Sequence, residues 1–168
     1  MTKRTFHYCG THKEDEAYMQ QMCAQGWAAL RLVEGFWTFA PCAPNAYCYR
    51  VCYLRGKTRA QVQALKEAYA AKGISFVSRY SFWAIFRSTA PFTLYSPEEE
   101  KAVCRKIYAP MLPGAVLSWL LTVLGLILSL LVCPWFLILT LLLGLYGMMC
   151  TWLAISYRRL IARLEQKN

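Results

Sequence analysis

The chain has 168 residues, a formal charge of +10 and a hydrophobic share of 57%. That charge alone would suit a nucleic-acid binder, but residues 3–87 hold no dense basic run. Seven basic residues (Lys101, Arg105, Lys106, Arg158, Arg159, Arg163 and Lys167) flank one long uncharged tract, where orientation in a membrane accounts for them. Eight cysteines without a C-x-x-C pair read as reduced thiols, which excludes a disulfide-built scaffold.

The chain opens with Met1-Thr2-Lys3-Arg4 and no apolar run behind it, so no secretory signal is expected. His7, Cys9 and His12 are three metal-ligand types without a fourth, and are read as polar side chains. Cys48 and Cys52 share a strand face about 13 Å apart, too far for one metal ion. No metal and no cofactor is expected. Thr11 with Glu14 forms a capping box, and Ala17, Tyr18, Met19, Met22 and Cys23 follow at helical spacing until Gly26. Residues 27–33 and 36–40 read as two strands around a Glu34-Gly35 turn, and 47–54 as a third.

The pattern then restarts. Thr58 with Gln61 is a second capping box, Val62, Leu65, Ala68 and Tyr69 make an apolar stripe, and Gly73 ends the helix. Residues 74–79 and 82–87 read as another pair of strands. A shift of 47 residues places Thr11 on Thr58, Gly26 on Gly73, Phe36 on Trp83 and Phe39 on Phe86 without a gap. The chain therefore reads as two helix-plus-hairpin units, 11–54 and 58–87, the first with one extra strand. The expected fold is α+β: an antiparallel sheet of about five strands with both helices on one face, within a cytoplasmic domain of residues 1–95.

Ser96-Pro97-Glu98-Glu99 starts a connector helix over 96–110, which Pro110 and Pro113 are expected to interrupt. Between residues 107 and 157 there is no Asp, Glu, Lys, Arg or His. At about 20 apolar residues per span, this tract fits two membrane helices, 112–132 and 135–157, with a tight turn at Cys133-Pro134. Basic residues outside both ends and none in the turn place both termini on the cytoplasmic side, with Trp135 and Tyr157 at the interfaces. A basic tail, 158–168, continues the second helix. Gly114, Ser118, Thr122, Gly125 and Ser129 line one face of the first span; Thr140, Gly144, Gly147 and Thr151 line one face of the second. Such faces let helix backbones approach closely in lipid, first within the hairpin or, as a second reading, in a homodimer of hairpins. Neither span holds an ionisable group, so a pump or coupled carrier is not expected.

The blocks "MCAQGW", "GFWTF", "YCYRVCYL", "AAKGI", "FWAIFR" and "TLYSPEEEKAVCRK", in that order over residues 12–108, resemble the domain-of-unknown-function 2812 family. The resemblance implies a bacterial protein with membrane helices after the domain, often encoded beside PadR-type transcription regulators. It brings no catalytic residues. Family members often carry an acid near the position of Cys52, where this strand reads "RVCY".

No Ser/His/Asp set, paired carboxylates on one element or Gly-rich phosphate loop is present, so an enzyme is not expected. The expected function is a membrane-anchored protein-binding or signalling module, and the implied regulator is one candidate partner. Its contact surface would draw on Trp37, Tyr47, Tyr49, Tyr53 and Trp83, on the sheet face left bare by the helices. The alternative is a tethered single-strand nucleic-acid reader stacking bases on Phe36, Trp37, Phe39, Phe82, Trp83 and Phe86, which requires Trp37 exposed beside Arg31 and Arg50.

Overall fold

The computed structural model describes residues 2–7, 10–33, 35–131 and 136–166. The chain divides into two compact units, Met1–Leu94 and Tyr95–Asn168. The first contains β1 (Lys3–Phe6), α1 (His12–Ala24), β2 (Trp27–Val33), β3 (Phe36–Pro41), β4 (Cys48–Tyr53), α2 (Arg59–Ala70), β5 (Ser75–Tyr80) and β6 (Trp83–Ser88).

Both helices start where their boxes place them. The Thr11 hydroxyl accepts from the Glu14 N–H at 3.3 Å, and the Glu14 carboxylate accepts from the Thr11 and Gly10 N–H groups. Thr58 and Gln61 repeat this at α2. These exchanges satisfy donors that the first helical turn cannot pair. Beyond α1, Gly26 takes φ +84°, a left-handed conformation that turns the chain into β2.

The strands form two antiparallel three-stranded sheets, ordered β1-β3-β2 and β4-β6-β5, instead of one sheet of about five. The expected repeat boundaries change with them. No element is expected before Thr11, yet β1 takes the free edge of β3, and β4 therefore cannot pair there. β4 instead pairs β6 and belongs to the second repeat. Each repeat is thus strand-helix-strand-strand, with its first strand beside its last. The 47-residue shift carries Phe6↔Phe36 onto Tyr53↔Trp83 and Val33↔Phe36 onto Tyr80↔Trp83. It also carries the register break at Ala29/Arg31 onto that at Phe76/Ser78. The two repeats share their pairing down to the irregularity, and β1 and β4 take part in it.

The two helices are not used alike. One side of α1 lies on its own sheet: the Tyr18 ring meets Trp37 and Phe39 edge-on, and its hydroxyl bonds Thr5 at 2.7 Å. The other side meets the second sheet. His12 stacks on Trp83, Asp15 accepts from the Tyr80 hydroxyl at 2.6 Å, and Glu16 accepts from the Val51 N–H at 2.9 Å. One core results, with Met19, Met22 and Cys23 of α1 between Ala29, Leu32, Trp37 and Phe39 of the first sheet and Tyr49, Val51 and Ile85 of the second. α2 serves the second sheet alone. Its Tyr69 packs edge-on against Phe86, next to buried Cys52 and Ala84 on that face, and Val62 is its single buried side chain. Helices on one common side of a continuous sheet are therefore replaced by a helix shared between two sheets.

In the second unit, α3 (Pro97–Leu131) and α4 (Phe136–Glu165) pack as an antiparallel pair. Both are long and apolar enough to cross a membrane. The Cys133-Pro134 turn and Trp135 lie outside the described residues, as do Cys9 and Glu34. The expected break between connector and first span does not occur, because Pro110 and Pro113 sit inside one continuous helix. A helical proline deprives the carbonyl four residues earlier of its donor. Here those carbonyls belong to Lys106 and Ala109, two exposed residues at the edge of the apolar tract, where water can replace the missing N–H.

The seam between the helices is made of the small residues. A Cβ on Gly125 would lie 2.5 Å from the Thr140 hydroxyl, one on Gly147 3.0 Å from that of Ser118, and one on Gly144 3.6 Å from Thr122. Ser118 donates across the seam to the Leu143 carbonyl at 2.8 Å, and the Trp119 indole donates to Thr151 at 3.1 Å. Thr122 and Ser129 are buried and bond carbonyls of their own helix. Gly114 has open space where a side chain would go and takes no part. Seam positions 115, 118, 122, 125 and 129 alternate spacings of three and four, the heptad rhythm of a left-handed helix pair. Outside the apolar tract, Arg105 of α3 reaches Glu165 of α4 at 3.4 Å.

Candidate interaction surface

The expected aromatic surface does not exist as one face. Trp37 and Tyr49 are both 0% exposed and belong to the core. Trp37 is enclosed by Tyr18, Phe39 and Tyr80, and its indole N–H has no acceptor among the described residues. The Tyr49 hydroxyl accepts the Ala29 N–H at 3.0 Å, and burial pushes its pKa up to about 12. Tyr47 is half-buried with the Arg87 guanidinium 4.5 Å above its ring. Tyr53 and Trp83 lie together, with ring centres 4.9 Å apart, and Trp83 is closed on its other side by His12. The set proposed for base stacking fares similarly: Trp37, Phe39 and Phe86 are buried, while Phe36 and Phe82 are exposed. These residues alternate correctly along their strands, but β3 turns Trp37 and Phe39 toward α1 and Phe36 and Thr38 away from it.

The bare face is therefore the outer face of the first sheet. Register places Phe6, Phe36 and Val33 side by side in one row across β1, β3 and β2. All three are exposed, at 65%, 40% and 42%. The next row is Arg4, Thr38 and Arg31, and the Arg4 guanidinium lies 4.5 Å over the Phe36 ring. No strand of either sheet carries an acid. The Arg50 guanidinium of β4 lies 3.9 Å from the Glu16 carboxylate. The outer face thus couples an apolar aromatic row to a cationic row. Arg4 and Phe6 were missed with β1 itself, although the 47-residue shift sets Lys3–Phe6 on four residues of β4 and so carried the signal.

Among the described residues no group of three His, Cys, Asp or Glu side chains could hold a metal. Cys42 sits beside buried Cys23, and burial together with that second thiol raises its pKa, which works against a reactive thiolate.

No curated protein and no solved structure matches the chain. A family match covers residues 11–113, from the first capping box into α3, and so takes in α1, α2, five of the six strands and the start of the apolar pair. On that match the chain belongs to the family described as "Protein of unknown function (DUF2812)".

Proposed function

We propose that this chain is a membrane-anchored module whose globular unit binds a protein partner on the cytoplasmic side of a bacterial membrane, holding it there or passing it a signal. The observation that carries this reading is the outer face of the first sheet. A contiguous row of Phe6, Phe36 and Val33 beside Arg4 and Arg31 has the apolar-aromatic and arginine character enriched at interface centres. The anchor is the α3–α4 pair, and the basic flanks support a placement with both termini cytoplasmic. A transcription regulator is one partner consistent with the family, and would be held at the membrane by such an anchor.

The test is affinity purification of the full-length chain from detergent-solubilised membranes, beside a Phe36→Asp variant. The expected result is a co-purifying protein in constant ratio that the variant loses. An identical set of proteins from both would count against this face. Salt-sensitive binding of single-stranded RNA lost in the same variant would favour a nucleic-acid reader instead.

A further inference from the structure

The duplication shows what such a face receives. In the second repeat the equivalent face is not bare. Its rows, Tyr53–Trp83–Tyr80 and Val51–Ile85–Ser78, are covered by α1. The first turn of α1 sits over the aromatic row, with His12 on Trp83. One turn later Glu16 reaches the second row at Val51. The first sheet repeats the same registers, but its second row holds Arg4 and Arg31 where the second sheet has Val51 and Ser78.

Resting on the protein-binding reading above, we infer that the outer face of the first sheet is a docking site for an amphipathic helix of a partner protein. That helix presents an apolar residue to Phe36 and, four residues later, an acid to Arg4 and Arg31. The spacing is that of His12 and Glu16, and the acid supplies the charge that the sheet lacks. The charge also argues against a second copy docking through α2. α2 carries Arg59 and Lys66 against the single acid Glu67, so two basic surfaces would meet.

The test places a photo-cross-linking p-benzoylphenylalanine at Phe36 of the full-length chain in membranes of its own host, with Gln63 on exposed α2 as the control position. Cross-linked peptides are then identified by mass spectrometry. The expected result is cross-links to one helical segment with an acid four residues from the attachment point, at least about tenfold fewer in Arg31→Glu, where like charges oppose. Arg31 is exposed, so this variant keeps the fold. Cross-links to a protein segment that is extended or basic would overturn the helix while leaving a protein-binding module standing. Cross-links only to lipid or nucleic acid, or none above the Gln63 control, would overturn both. Cross-links to residues 97–108 of the chain itself would give the face to its own α3 and overturn the partner.

Discussion

Replacing Glu16 with alanine tests the shared helix directly. Glu16 is 8% exposed, and its carboxylate accepts the Val51 N–H at 2.9 Å on the edge of β4 that faces away from β6. Hydrogen bonds to a charged acceptor contribute roughly 1.5–3 kcal/mol, and a buried N–H left without a partner costs a similar amount. The half-exposed contacts to Lys13 at 3.3 Å and Arg50 at 3.9 Å add at most about 1 kcal/mol. Glu16→Ala should therefore destabilise the globular unit by about 2–3 kcal/mol, a fall in Tm on the order of 10 °C for a domain of this size. The control is built into the duplication: Gln63 stands at the same position in α2, is exposed, and its alanine variant should change stability by less than about 0.5 kcal/mol. Hydrogen exchange of the full-length protein in nanodiscs reads both the unit and the Val51 amide. Equal stability of the two variants, or unchanged protection at Val51, would refute the claim that α1 closes the edge of the second sheet.

In the helical pair, Gly125→Ala meets the Thr140 hydroxyl at 2.5 Å and should weaken the pair by about 1–3 kcal/mol in detergent unfolding, while Gly114→Ala, facing open space, should be silent. Because the folded Tyr49 holds its proton to about pH 12 and an unfolded tyrosine releases it near 10, stability should be flat below pH 10 and fall between pH 10 and 12. Tyr49→Phe should remove that part of the slope in alkaline melts, at a cost of about 1–3 kcal/mol for the orphaned Ala29 N–H. Trp37→Ala should cost about 3–5 kcal/mol as a core cavity, whereas Phe36→Ser, one residue earlier on the outer face, should stay within about 0.5 kcal/mol; reversed values in urea titrations would invert the faces of β3.

Much of this fold could be read before any coordinates. Thr11 with Glu14 and Thr58 with Gln61 are local signals, because a cap is decided within four residues, and both helices begin there. The apolar pair is equally local, since length and the absence of charge decide it. Pairing is not local. β4 follows β3 in the chain, so a meander is the economical reading, and nothing within residues 47–54 says that its partner lies far along the chain at β6. The choice between faces failed for the same reason. Trp37 and Phe36 alternate alike in the sequence, and only α1, wedged between two sheets, decides which of them is covered. The prolines of α3 misled because a local rule about hydrogen bonding gives way where water reaches the carbonyl left over.

α1 joins the two repeats by seating on the sheet of the second. A contact in which the helix of one module seats on the sheet of the next is directional, and directional contacts have no natural end; repeated, they make a fibre. α2 does not offer such a contact. Where α1 offers His12, Glu16, Met19 and Cys23, α2 has Arg59, Gln63, Lys66 and Ala70, a wetter surface with nothing to bury. Restoring the α1 residues at those four places would give the module a growing end, and filaments in the electron microscope would reveal it.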